Sequence, residues 1–235
     1  MEFKRSVVSA AALGAAVFAG SAFAGVSGNV GVVSEYMFRG ISQGTGAAVQ
    51  GGIDYSHDSG FYLGTWGSNI DWGVGGAELD FYGGFAGEVS GFSYDLGAVY
   101  YYYPEEDETG TDPSVNTLEV YATGGIGVFS ASVYYSPKYF GAEDPSGDDI
   151  SETYVNVAAS LPVSDATSFD IAVGFTSLSD DVNFGYEITD SYTDYSIGLS
   201  TTVTDALSAG FSIVGTDLSD DDPKFLISAG YSFDM

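Results

Sequence analysis

The sequence predicts an all-β protein: a transmembrane, antiparallel up-and-down β-barrel of about twelve strands, preceded by a cleavable signal peptide. Three observations carry that expectation. Along most of the chain the apolar residues recur at every second position, the period of a strand rather than of a helix. The strand-like runs are joined alternately by short and long connections. The composition pairs 33 Gly, 18 Tyr and 16 Phe with 5 Lys and Arg against 33 Asp and Glu, for a formal net charge of −28.

The first 24 residues read as an export signal. Lys4 and Arg5 form a basic start, Ser6 to Gly20 an apolar run of small residues, and Ala22-Phe23-Ala24 the small-x-small pattern of a signal peptidase site. Residues 25–235 then form the barrel. No later stretch approaches the roughly 20 apolar residues of a helical span. Beyond Ala24 the basic side chains are Arg39, Lys138 and Lys224, too few for a basic patch that would hold nucleic acid. The chain has no cysteine, so neither disulfides nor thiolate chemistry is available.

Strand-like runs fall near 27–39, 47–57, 60–69, 77–88, 92–103, 116–126, 128–136, 151–162, 167–178, 190–203, 206–216 and 224–234. Most reach about ten residues, enough for a tilted strand to cross a bilayer. Phe169, Ile171, Val173 and Phe175 alternate with Asp170, Ala172 and Gly174. Tyr195, Ile197, Leu199, Thr201 and Val203 alternate with Ser196, Gly198, Ser200 and Thr202. Phe225, Ile227, Ala229, Tyr231 and Phe233 alternate with Leu226, Ser228, Gly230 and Ser232. Each strand thus has one apolar and one small or polar face.

In a soluble sandwich the apolar face is the core; in a membrane barrel it meets lipid. The connections favour the barrel. Those at 56–59, 89–91, 127, 162–166 and 204–205 are short. Those at 40–46, 70–76, 104–115, 137–150, 179–189 and 217–223 are long, and the last four hold most of the acid. Long loops at one end and tight turns at the other describe an outer-membrane barrel with periplasmic termini and external loops. Tyr100 to Tyr103, and Tyr134, Tyr135, Tyr139 and Phe140, cluster beside long loops, where a lipid–water boundary suits them.

Several segments carry a family resemblance. They are Ser34-Glu35-Tyr36-Met37-Phe38-Arg39-Gly40-Ile41-Ser42-Gln43, Ser59 to Asn69, Glu78-Leu79-Asp80 with Tyr82-Gly83-Gly84, and Tyr134 to Gly141. The first resembles the Y-x-F-R-G-I-S-Q signature of the TorF-type porins, proteobacterial outer-membrane proteins, and the likeness extends over residues 25–235. The resemblance implies a class of protein and no particular solute. Outer-membrane barrels commonly end in an aromatic residue read by the assembly machinery; here Phe233 stands two residues from the end.

Opposite the apolar faces lie Glu35, Gln50, Asp54, Glu78, Asp80, Asp95 and Glu119, with Arg39 on the Glu35 face. Such charges are costly facing lipid at mid-bilayer, about 2–4 kcal/mol for Arg and less for each acid, so these residues are expected to line the pore. Arg39 among carboxylates either braces the wall or folds down the first loop, or else forms a constriction, and the surplus acid favours cations. The interior of the last strands is small: Ser196, Gly198, Ser200, Ser208, Gly210, Ser212, Ser228, Gly230 and Ser232. The loop acids, Asp220, Asp221 and Asp222 among them, form either a solvated surface or a Ca²⁺ or Mg²⁺ site. His57 falls in a short turn, without a nucleophile or acid partner that would make it catalytic. No cofactor pattern is present.

Three functions remain open on the sequence. One is a channel for passive diffusion of small hydrophilic solutes, preferring cations. The second is a closed structural or surface-interaction barrel whose acidic loops bind divalent cations, and the third a barrel hydrolase. Outer-membrane lipid, lipopolysaccharide and the barrel-assembly machinery are the expected partners, and the outer membrane the expected location.

Overall fold

A computed structural model describes residues 25–44, 46–106, 110, 114–183, 187–188, 190–219 and 222–235. The predicted signal segment lies outside the described residues. The strands are β1 (Gly25–Val33), β2 (Met37–Phe38), β3 (Ile41–Ser42), β4 (Ala48–Ser56), β5 (Phe61–Asn69), β6 (Ala77–Val89), β7 (Phe92–Tyr102), β8 (Thr117–Ile126), β9 (Phe129–Ser136), β10 (Glu152–Pro162), β11 (Thr167–Leu178), β12 (Val182–Asn183), β13 (Glu187–Ile188), β14 (Ser191–Thr202), β15 (Leu207–Thr216) and β16 (Lys224–Asp234).

Twelve of these close into one antiparallel barrel in the order β1-β16-β15-β14-β11-β10-β9-β8-β7-β6-β5-β4. The remaining strands form two small hairpins, β2-β3 and β12-β13, inside long connections. β1 seals the barrel on both sides, with Val30 opposite Tyr231 of β16 and opposite Gly51 of β4. Closure leaves no sheet edge, so every wall strand pairs on both flanks.

The period-two reading holds around the wall. Leu96, Val120, Val157, Ile197, Phe211 and Ile227 all point outward and are exposed. A globular protein buries such side chains, each gaining about 1.5–3 kcal/mol. Here the apolar face is the outer one on strand after strand, and the polar face is enclosed. Neighbouring residues confirm the register: Gly198 faces Ser212, Ser200 faces Gly210, and Gly210 faces Ser228.

The first strand differs from expectation. It ends at Val33 rather than continuing to Arg39. Ser34 caps the end, accepting Ile227 N–H on its Oγ while its own N–H bonds Ile227 O. The chain then leaves the wall and turns inward, and Tyr36 to Gly40 are buried. An extended strand would carry Arg39 out of reach of any counter-charge, whereas the inward turn delivers it to carboxylates on the far wall.

The aromatic clusters also divide differently. Tyr100, Tyr102 and Tyr135 point outward, as expected of a boundary girdle. Tyr101, Tyr103, Tyr139 and Phe140 instead belong to a core inside the barrel, at the long-loop end. Alternation sends every second tyrosine of a run such as Tyr100 to Tyr103 inward, and Phe140, at φ +43°, sits on a connection that folds back into the lumen.

Candidate functional site

The site is the lumen, and its centre is the β2-β3 hairpin. Phe38 pairs with Ile41, leaving Arg39 and Gly40 as a two-residue turn. Their φ angles are +47° and +81°, the left-handed pair that a type I′ turn demands. Glycine accepts this freely, whereas an L side chain at φ > 0 costs about 1–2 kcal/mol. A Cβ on Gly40 would also meet Thr216 Cγ2 at 2.6 Å and Asp194 Cβ at 2.8 Å. The tip of the hairpin is therefore seated against β14 and β15.

Arg39 supplies the compensation for its strained backbone. Its Nη2 donates to Glu119 Oε2 at 2.8 Å, and its Nη1 donates to Glu152 Oε1 in a very short bond. All three side chains are at most 5% exposed. Tyr154 and Tyr134 cover the guanidinium, with ring centroids 4.3 and 5.3 Å from Cζ, and Phe38 stands at 4.8 Å. Burial opposes the charge of Arg39, but the Glu119 and Glu152 carboxylates outweigh it and hold the group well above its ordinary range. Around the barrel, β9 lies opposite β1, and Glu119 and Glu152 stand on the strands flanking it. The Arg39 side chain thus carries the hairpin's reach to the far wall of the lumen.

Other anchors fix the hairpin along its length. Tyr36 donates to Glu78 Oε1 at 2.7 Å, and Tyr103 donates to Glu78 Oε2 at 2.7 Å. Burial, reinforced by the Glu78 carboxylate, keeps the Tyr36 phenol protonated and donating. Tyr36 packs edge-on against Trp66 at 5.5 Å, and Phe38 against Tyr101 and Phe140, each at 5.7 Å. Met37 joins Val214 and Leu226 on the remaining side. The long-loop half of the barrel is filled by this aromatic plug.

The short-turn half is polar and more open. Tyr82 lies over Gly64 and donates to Asp54 at 2.5 Å. Tyr62 donates to Asp95 Oδ1 at 2.7 Å and also bonds the Tyr121 hydroxyl, while the Tyr121 ring lies over Gly97. Asp170 accepts from Ser160 and Ser200, each at 2.6 Å. Glycines facing tyrosines across the pairing let these rings lie flat along the wall, which accounts for the joint abundance of the two residues.

Gln50, Asp54 and Asp95 are half-buried and Glu78, Asp80 and Glu119 buried, each on the face of its strand opposite the exposed apolar side chains. Gln50 Nε2 reaches Ser68 Oγ at 3.4 Å. Glu35 does not join Arg39. It is half-buried at the base of the hairpin and accepts from Ser42 Oγ at 2.5 Å. Sequence reasoning missed Glu152 and Asp194 as lumen acids. Their signal was present, since Glu152 shares a face with Tyr154 and Asn156, and Asp194 with Ser196 and Gly198.

Several loop acids shape backbone. Asp144 Oδ1 accepts from Ser146 N at 2.7 Å and Asp148 N at 2.9 Å. Glu106, buried, accepts from Ser114 Oγ at 2.8 Å, Val115 N at 2.9 Å and the Asn116 amide. Among the described residues no group of three or more His, Cys, Asp or Glu is placed to hold a metal ion. Asp220 and Asp221 lie outside the described residues, and Asp222 is exposed. His57 sits in its turn, its Nδ1 2.9 Å from Ser59 Oγ.

Wall, polarity and enclosed hairpin define a closed, twelve-stranded antiparallel barrel with an apolar exterior and an acidic interior. The chain belongs to the family described as "Bacterial protein of unknown function (Gcw_chp)", which matches residues 18–229. No curated protein matches it. Among solved structures it is similar to the NanC porin, with a TM-score of 0.58 and 9% identity over 88% of this chain and 98% of that one. It is similar also to the KdgM porin, with a TM-score of 0.54 and 12% identity over 88% and 99% of the two chains. KdgM has in addition been solved in complex with disordered oligogalacturonate; that structure gives a TM-score of 0.54 and 11% identity over 88% of this chain and 99% of its own. At such identities the likeness is one of fold.

Proposed function

We propose that this protein is an outer-membrane porin-like channel of the TorF type, passing small hydrophilic solutes through a lumen that its own first long connection constricts. Residues 1–24 act as the export signal, both termini face the periplasm, and the long loops face outward toward lipopolysaccharide. The observation that carries this reading is the inversion of the barrel, with large apolar side chains such as Leu96 and Ile227 outside and Asp54, Asp95 and Asp170 inside. Such a wall is stable only with hydrocarbon around it and water or polar groups within it.

The lumen favours cations. Arg39 is already paired with Glu119 and Glu152, while Asp54, Asp95 and Asp170 accept from tyrosine and serine hydroxyls. KdgM's oligogalacturonate is a polyanion, and an interior of this sign would repel one. Single-channel recording of the purified protein in planar bilayers, with reversal potentials measured in a salt gradient, tests both points. Cation-selective conductance is expected, and clear anion preference would overturn the selectivity.

A second reading is favoured by the density of the plug, since Arg39, Phe38, Tyr101, Tyr103 and Phe140 pack together across the lumen. In that reading the barrel is closed and its acidic loops do the work at the surface. Absence of conductance in correctly folded protein would select it over the channel.

A further inference from the structure

We propose that the seat of Arg39 is a receptor for guanidinium-bearing solutes, and that Arg39 is its tethered occupant. The wall components of the seat come from three consecutive strands: Glu119 from β8, Tyr134 from β9, and Glu152 and Tyr154 from β10. None belongs to the hairpin, so the seat is complete when the hairpin is taken away. Two carboxylates facing a planar cation between aromatic rings match the fork geometry and the stacking habit of guanidinium.

The seat also offers more acceptors than Arg39 uses. Glu119 Oε1 and Glu152 Oε2 are buried and take no hydrogen bond from Arg39, and the two side chains lie within hydrogen-bonding reach of each other. Glu119 and Glu152 are each at most 1% exposed, so bulk water does not reach them. Two buried carboxyl groups pressed together favour a donor-rich cationic ligand between them. A metal ion is the less suited occupant, because no cluster of metal-binding side chains forms among the described residues.

The occupant is mounted on a hairpin that stands apart from the seat. The hairpin pairs with itself through β2 and β3, and Gln43 N closes it on Tyr36 O. Its charged hold on the strands carrying the seat is the Arg39 side chain, while Tyr36, Met37 and Gly40 hold it to other parts of the wall. A free guanidinium solute in the lumen competes with Arg39 for the same two carboxylates, and its binding frees the Arg39 side chain and loosens the hairpin tip. The site is independent of conduction: a barrel that passes no current can still bind in it.

The test uses the full-length protein in detergent, with ethylguanidinium as probe and N-ethylurea as its neutral isostere. In Arg39→Ala, low-millimolar ethylguanidinium is expected to raise the melting temperature by several degrees, because a ligand bound only to the folded state stabilises it. N-ethylurea is expected to leave it unchanged. The rescue disappears when Glu119→Gln and Glu152→Gln are added. In the wild-type protein Trp66 lies 5.5 Å from Tyr36 of the hairpin and reports displacement by its emission. A saturable emission change with ethylguanidinium and none with N-ethylurea supports competition. Equal effects of the two probes, or no effect of either on both proteins, overturns the proposal. If Arg39→Ala does not fold, the wild-type emission titration decides. A positive result without bilayer conductance keeps the receptor and removes the channel reading.

Discussion

Arg39 and Glu152 stand 113 positions apart in the chain and meet as a buried ion pair inside the barrel. The first comes from the connection after β1 and the second from the head of β10, close to the opposite side of the wall. The pair therefore ties the hairpin across the lumen, and Glu119 repeats the tie two strands away. Removing one partner of such a pair leaves an uncompensated buried charge, whose cost exceeds the value of the bond itself.

Truncating the tie is the most direct perturbation. Arg39→Ala is expected to destabilise the folded barrel by about 3–5 kcal/mol, measured by thermal or denaturant unfolding in detergent. Its conductance is expected to exceed that of the wild type, because the hairpin tip loses its anchor. A stability unchanged from wild type would show that the pair contributes nothing.

Protease accessibility reads the same tie without deleting the arginine. Arg39 is 4% exposed, so trypsin is expected to spare the bond after it in native protein. In Glu119→Gln/Glu152→Gln the hairpin loses both counter-charges and cleavage between Arg39 and Gly40 is expected. Mass spectrometry of the fragments identifies the cut.

Gly40 tests the fit of the tip against β14 and β15. Gly40→Ala forces an L side chain at φ +81° and places a Cβ 2.6 Å from Thr216 Cγ2. The backbone penalty alone is about 1–2 kcal/mol, and the clash adds to it. Higher conductance with a lower melting temperature is expected, and wild-type values in both would show that the tip is not seated.

Selectivity is expected to depend on the open half of the lumen rather than on the plug. Asp54→Asn with Asp95→Asn removes two inner-wall charges that meet tyrosine hydroxyls rather than cations. Reversal potentials are expected to move toward zero, with the fold retained by circular dichroism. An unchanged potential would place the selectivity elsewhere.

The outer face carries its own prediction. Leu96, 56% exposed on the middle of β7, is expected to contact hydrocarbon. Leu96→Arg is expected to cost about 2–4 kcal/mol in folding into lipid vesicles. A neutral effect would argue against a membrane around this belt.

What the sequence determined by itself is the wall. Period-two alternation is a local property, so Phe169 to Phe175 or Phe225 to Phe233 declare their two faces without knowledge of any neighbour. The same alternation placed Gln50, Asp54, Glu78, Asp80, Asp95 and Glu119 on the inner side, and the lengths of the connections gave strand number and order. The tertiary structure alone decided what crosses the lumen. It ended β1 at Val33, turned Arg39 away from Glu35 toward Glu119 and Glu152, and sent Tyr101 and Phe140 inward beside Phe38. These contacts join residues that no short-range pattern links. They exist because barrel closure brings distant strands to face one another, and because a buried arginine must find its counter-charges wherever the closed wall presents them.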